Sequence, residues 1–266
     1  MIQIKELASF MTSSAQPAIA ALYRYPVKGL APQQLDRADL AEGETIALDR
    51  AWAIENGPGR FDPQTPKTLP KISFLMLMRN ERLAALDIEF DEAEQTLTVL
   101  REGRQVARGA LNTRIGRQLI EQFIAGYMPG DLRGAPRIVH APGHSFSDVA
   151  MKCVHIVNLA SVRELERAVG KPVDPMRFRA NIYIETDEPW VEFGWIGETI
   201  GAGNATLEVC ARTVRCDATN VNPQTAERDM ALPAALVRAY GHQDFGVYAI
   251  VSGGGTLTPG DKIELR

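Results

Sequence analysis

The sequence predicts a strand-rich, mixed α/β protein of two associated domains, and three observations predict it. From Ala21 to about Val106, short apolar runs alternate with Pro- and Gly-rich turns, the pattern of a small barrel-like domain. Ile115, Leu119, Phe123 and Ile124 then recur at helical spacing, a bridge between domains. Beyond them, strand patterns alternate with two further helical stretches. The boundary falls between Val106 and Thr113, so the expected domains are 18–106 and 113–266.

In chain order, Met1 to Pro17 reads as a loose lead-in, because Thr12, Ser13, Ser14, Gln16 and Pro17 interrupt a helix begun at Glu6. The first strand is expected from Ala21 to Val27, with Pro26 at the point where pairing ends. Ile46, Leu48, Trp52 and Ile54 share one parity of a period-two strand with Arg50. A guanidinium on an apolar face demands an acid, several acceptors or a bound anion. Residues 56–71 form a turn-rich loop before the apolar run Phe74 to Met78, and strands at Ile88–Phe90 and Leu97–Val99 make a hairpin reversing around Asp91 to Gln95. Asn112 or Thr113 caps the first helix, and Gly126, Pro129 and Gly130 stop it. Val149 to Val157 alternates as a strand and leads into a helix opened by the capping-box pair Ser161 and Glu164. Further strands are expected at Asn181–Ile184, Thr206–Val214 and Phe245–Val251, with a helix from Pro233 to Tyr240 stopped by Gly241.

Composition narrows the function. With 45% hydrophobic and 23% charged residues, the chain buries a core and is neither disordered nor collagen-like. Three cysteines cannot all pair, which favours a reducing, cytoplasmic setting. No apolar run has the length of a membrane span, and 29 basic against 33 acidic residues argues against broad nucleic-acid binding.

Several motifs fail their chemical test. Gly253–Gly255 lacks the Gly-Lys-Thr/Ser of a phosphate loop, and Pro142 and Gly143 break the helix that a His140/His144 metal pair needs. Cys153 and His155 share a strand face with apolar residues and read as packing. Asp91, Glu92 and Glu94, like Asp187, Glu188 and Glu192, read as solvated turns. What remains is basic: Arg177 and Arg179 around Phe178, then Asn181, and Arg212 and Arg215 before Cys216. If these segments converge, the arginines hold a phosphate and polar ring edges, and their charge favours the Cys216 thiolate as a soft metal ligand or nucleophile.

The ordered set Tyr25-Pro-Val-Lys-Gly29, Asp49-Arg-Ala-Trp52, Phe146-Ser-Asp148, Arg177-Phe-Arg-Ala-Asn181, Arg215-Cys216 with Thr219 and Asn222-Pro-Gln-Thr225, Asp244-Phe-Gly246 and Pro259-Gly-Asp261 resembles a known family. It is that of the molybdenum cofactor sulfurase C-terminal (MOSC) domain proteins that also carry a MOSC N-terminal β-barrel domain. The likeness is greatest to the mitochondrial amidoxime-reducing component and its bacterial relatives, and it spans Ala18 to Arg266.

The resemblance implies a MOSC-type β-barrel domain followed by a larger MOSC domain with a β-barrel core and peripheral helices. It implies a molybdenum-pterin cofactor between them, with Cys216 as metal ligand and catalytic thiolate. Lys28 and Arg50 match basic residues near the cofactor phosphate, Arg179 and Asn181 match cofactor contacts, and Asp148 and Arg215 match supporting positions. The implied activity is two-electron reduction of a small N-oxygenated substrate, fed by a separate electron-transfer protein or reductase, since three cysteines hold no iron-sulfur cluster. Pyridoxal phosphate binding is not expected. The chain departs from the family at Gly29 and Ala180, and at 66–71, where Pro-Lys-Thr-Leu-Pro-Lys replaces a Thr-x-Arg pattern. That altered loop motivates an alternative, a carrier of molybdenum cofactor or sulfur without turnover; a third reading is a docking surface built on an old cofactor cleft.

Overall fold

The computed structural model describes residues 16–57 and 59–266. Residues 1–15 of the expected lead-in lie outside the described residues. The first strands are β1 (Ala18–Arg24), β2 (Gln33–Leu35), β3 (Ala38–Leu40) and β4 (Trp52–Asn56). A meander follows, β5 (Asp87–Asp91), β6 (Thr96–Arg101) and β7 (Arg104–Ala110), then helix α1 (Arg114–Tyr127) and β8 (Pro136–His140). The rest is β9 (Val154–Asn158), α2 (Leu159–Val169), β10 (Ile182–Glu185), β11 (Thr199–Ala202), β12 (Ala205–Val214), α3 (Leu232–Tyr240), β13 (Asp244–Gly253), β14 (Gly255–Leu257) and β15 (Ile263–Leu265).

Eight strands form the main sheet in the order β15-β11-β12-β13-β9-β10-β1-β2. Among the described strands only β9 and β10 pair in parallel, and α2 makes the crossover between them. The sheet curls until β1 meets the chain entering β15: the Ile19 N–H donates to the Asp261 carbonyl and the Ile263 N–H to the Pro17 carbonyl, both at 2.8 Å. Ile19, Leu22, Ile156, Ile182, Val209 and Val247 fill the interior. Each such side chain contributes roughly 1.5–3 kcal/mol by leaving water.

A second core gathers Trp52, Ile54, Leu75, Val99, Ile120 and Ile124 between the β5-β6-β7 meander, α1 and the β4-β8 pair. Helix and meander meet backbone to backbone, because a Cβ at Gly116 would lie 2.1 Å from the Ala110 carbonyl oxygen. The sheets interleave the two ends of the sequence. β1 and β2 extend the sheet of the carboxy-terminal strands, and β8 pairs with β4.

The strand-rich α/β class, the hairpin, the three helices and the Gly241 stop follow the sequence pattern. Local structure departs from it at five points. The first strand starts at Ala18 and ends at Arg24, ahead of Pro26. The strand expected from Ile46 begins only at Trp52, because Leu48 (φ 63°) and Arg50 (φ 51°) adopt left-handed turns. β9 is buried at every position, and the alternation from Val149 has no strand beneath it. α2 is capped by Asn158, whose side chain accepts from the Ala160 N–H at 3.0 Å, while Ser161 turns inward to Glu192. On α1, Ile115 and Leu119 are exposed, and Gly116, Ile120 and Ile124 form the inner face.

Glu192 also departs from its expected solvated turn. Its carboxylate is fully buried and accepts from Asn158 Nδ2 at 3.0 Å and Ser161 Oγ at 2.8 Å. Burial pushes its carboxyl group up from the ordinary range.

Candidate functional site

The loops at one end of the curled sheet enclose a cleft of about 910 Å³. Its wall brings together every residue that the sequence singled out for the site: Lys28, Arg50, Asp148, Arg179, Asn181, Arg215 and Cys216. Arg177 lines it too, whereas Arg212 is outside, over the Phe193 ring at 4.3 Å.

Lys28 follows β1, where its N–H donates to the Trp52 carbonyl at 2.8 Å. Its ammonium donates to the Phe146 carbonyl at 2.8 Å and pairs with Asp148. Burial lowers the Lys28 pKa against the pull of Asp148. Burial alone would raise the Asp148 carboxyl, but the Lys28 charge and hydrogen bond hold it below its ordinary value.

Arg50 is satisfied by its neighbour in sequence and by a distant loop. It pairs with Asp49 at 2.5 Å and donates to the Arg179 carbonyl at 3.0 Å, while Asp49 accepts from the Tyr25 N–H at 2.8 Å. Arg179, itself in a left-handed conformation (φ 52°), closes the short 3-10 turn Pro175–Phe178 and donates to the Leu30 carbonyl at 2.8 Å. Two non-glycine residues held in this region at one site represent backbone strain that the surrounding contacts must offset.

Arg215 follows β12 and reaches back under the same wall. It donates to the Phe178 carbonyl at 2.7 Å and lies 3.3 Å from His155 Nε2, and its buried Nε has no partner. Burial and then the Arg215 and Arg50 charges push the His155 pKa well below its usual value, so His155 is neutral. Among the described residues, neither Arg179 nor Arg215 has a carboxylate within salt-bridge distance. Burial pushes the Arg179 guanidinium down to about 10 and lowers Arg215 as well, which leaves both charged at neutral pH. Two half-buried cations that no carboxylate pairs directly, together with the orphaned buried N–H of Arg215, leave room for an anion.

Cys216 sits between Arg215 and a locked turn. Its carbonyl accepts from the Thr219 N–H at 3.1 Å and the Thr219 hydroxyl at 3.0 Å. Arg177, 4% exposed, clamps that turn by donating to the Thr219 and Asn220 carbonyls at 3.3 and 3.2 Å while pairing with Asp229 at 2.7 and 2.9 Å. Cys153 also lines the cleft, but burial and then Cys210 push its thiol up to about 12, which keeps it protonated.

The MOSC N-terminal beta barrel domain model matches residues 16–128, and the MOSC domain model matches residues 141–264. The chain belongs to the MOSC family. Relatives of this MOSC chain include the molybdenum cofactor sulfurase of Drosophila mojavensis, 29% identical over 88% of this chain and 32% of that protein. That of Drosophila grimshawi is 25% identical over 92% of this chain and 34% of the relative. The chain thus spans about a third of the length of the curated relatives it matches. Among solved structures, the YUAD protein of Bacillus subtilis aligns over 95% of this chain and 96% of its own at 16% identity and a TM-score of 0.44. YiiM of Geobacillus stearothermophilus aligns over 42% of this chain and 53% of its own at 19% identity and a TM-score of 0.34.

Sequence reasoning missed His155 as part of the MOSC site, having placed it in the core, and the signal for it lay in Asp244-Phe-Gly246. A Cβ on Gly246 (φ 77°) would lie 2.5 Å from the Ile156 carbonyl oxygen and 2.8 Å from His155 Nε2. Glycine there lets β13 close on β9 while the imidazole stays against Arg215. Among the described residues, no three His, Cys, Asp or Glu side chains are grouped to hold a metal, and no helix is long and apolar enough to cross a membrane.

Proposed function

We propose that this cleft holds a molybdenum-pterin cofactor and that the protein reduces small N-oxygenated compounds by two electrons. The observation that carries this reading is the placement of Cys216 in one cleft with Arg179 and Arg215, two half-buried guanidiniums without carboxylate partners. An anionic cofactor would satisfy them and the free Arg215 Nε, and a thiolate is a soft ligand suited to its metal. The residues fit the group on those grounds, and the lack of any group of three His, Cys, Asp or Glu side chains among the described residues agrees with a metal whose other ligands come from the cofactor. The names of the curated relatives point to the same cofactor.

When bound, the cofactor supplies the redox chemistry. The chain's part is electrostatic. Lys28, steadied by Asp148, and Arg50, steadied by Asp49, present cationic donors to a phosphate, and Arg179 and Arg215 offset further negative charge. Asn181 is pinned by donating from Nδ2 to the Tyr23 carbonyl at 3.2 Å, and neutral His155 props Arg215 without adding a competing charge. Overall, the N–O bond breaks and two electrons with two protons yield the reduced nitrogen compound and water. A separate electron-transfer protein or reductase supplies the electrons.

Metal analysis of protein made in a cofactor-producing host, with reduction of a hydroxylamine or amidoxime by an artificial donor, tests the reading. Molybdenum near one per chain and turnover are expected, both lost in Cys216→Ala. Absence of molybdenum from freshly isolated protein overturns it.

A second reading, a carrier of molybdenum cofactor or sulfur, is favoured by the sulfurase relatives and by the exposed loop at Lys67 and Thr68 in place of Thr-x-Arg. Thiol labelling separates the two. A carrier cycles Cys216 between accessible and sulfur-loaded forms, and a metal-bound Cys216 stays protected until the cofactor leaves.

A further inference from the structure

A second chamber of about 830 Å³ opens beside the Cys216 cleft, and the two share the wall formed by Gly29, Leu77, Arg177, Arg179 and Ala218. Its chemistry differs. Leu30 and Val221 are buried in its wall, and Ala84, Ile88, Met176 and Pro223 are only half-buried, so their apolar surface faces open space. Several polar groups nearby are engaged, while Asp87, which also lines the chamber, is exposed. Arg177 Nη1 and Nη2 are held by two carbonyls and Asp229, although its buried Nε has no partner, Gln224 donates to Asp174, and Arg179 Nη2 is held by the Leu30 carbonyl. An apolar recess that continues a polar cleft through a common wall fits an amphipathic ligand, polar at one end and hydrocarbon at the other.

We propose that this chamber is a subsite for the uncharged apolar body of the substrate, an alkyl chain or aryl ring, whose N–O head lies in the Cys216 cleft. The proposal rests on the reductase reading and narrows it to hydrocarbon-bearing N-hydroxy compounds. Leu77 and Ala218 line both spaces and so stand where head and body would meet. Ala84 and Ile88, which line only the chamber, decide how long a body it accepts.

The test uses the cofactor-loaded protein and two matched series. Straight-chain carboxamides of two to eight carbons are titrated by calorimetry, and the corresponding N-hydroxyamides are assayed for turnover. Affinity and kcat/KM are expected to rise about fourfold per methylene buried and to level off when the chamber is full. Ala84→Trp, which fills the chamber, and Ile88→Glu, which charges it, are expected to flatten both series while the two-carbon member behaves as in the wild type. Melting curves show which variants remain folded. Chain-length independence in the wild type, or an unchanged slope in the folded variants, overturns the subsite. Carboxamide affinity that rises with length and collapses in the variants, without turnover of any N-hydroxyamide, upholds an apolar site and removes the reductase reading instead.

Discussion

Arg50 donates to the carbonyl oxygen of Arg179 at 3.0 Å, and both guanidiniums lie over the ring of Tyr25, at 4.5 and 4.2 Å from its centroid. The two residues are 129 positions apart, and each adopts a left-handed backbone conformation. Two like charges are brought this close by contact with one aromatic ring, by the Asp49 carboxylate beside Arg50 and by backbone carbonyls.

Replacing Arg50 tests that arrangement. Arg50→Ala leaves buried Asp49 without its cation, and stability is expected to fall by roughly 3 kcal/mol in urea denaturation. Arg50→Lys recovers charge but not the fork that reaches both Asp49 and the Arg179 carbonyl, so cofactor retention stays well below wild type by metal analysis.

The two cleft cysteines are expected to part company. Cys153→Ala should keep molybdenum and cost about 1 kcal/mol of stability, since its thiol is held protonated and acts as packing. Cys216→Ala should lose the metal at nearly unchanged stability of the cofactor-free form. Equal metal content in the two variants contradicts both assignments.

Gly246→Ala forces a Cβ against the Ile156 carbonyl oxygen and His155 Nε2 at a positive φ. A loss above about 2 kcal/mol is expected, because backbone and side chain must both shift. If the variant folds, its cofactor affinity should drop with the displacement of Arg215, measured as molybdenum retained through dialysis.

His155 makes stability depend on pH in a defined direction. Its folded pKa lies well below its unfolded value of about 6.5, so between those two values the unfolded chain binds the extra proton. Stability is therefore complete above about pH 6.5 and falls by up to about 1.4 kcal/mol per pH unit as the solution is acidified below it. Asp148, whose folded pKa is lowered, adds a second loss as pH falls through the carboxylate range. His155→Gln should remove the first limb and keep the second in denaturant melts at stepped pH.

The turn after Cys216 depends on the pair that buried Arg177 makes with the more exposed Asp229. Asp229→Asn should cost about 2 kcal/mol in denaturant melts, because Arg177 keeps its two carbonyls but loses a charged partner. Cys216 labelling in the cofactor-free protein should quicken as the turn loosens.

Much of this was legible in the chain itself. The hairpin of Ile88 to Val99, α1 with its Thr113 cap and α3 with its Gly241 stop follow from local periodicity and end chemistry, which act over a few residues. The residues of the cleft could be named one by one from their motif order, and the demand of Arg50 for a partner could be stated from the cost of burying a charge. Other features lay beyond any local pattern. The parity of Ile46 to Ile54 mimics a strand, but the Tyr25 carbonyl accepting the Arg50 N–H and the Asp49 carboxylate accepting the Tyr25 N–H turn the chain at Arg50. Glu192 resembles a surface acid until α2 brings Ser161 and Asn158 to it. Residue identity thus determined which chemistry the protein carries and where its helices end. Only the curling of the sheet decided that Lys28, Arg179 and Cys216 share one cleft, because that depends on contacts between segments far apart in the chain, Lys28 lying more than a hundred residues from the other two, whose closure no short window of sequence encodes.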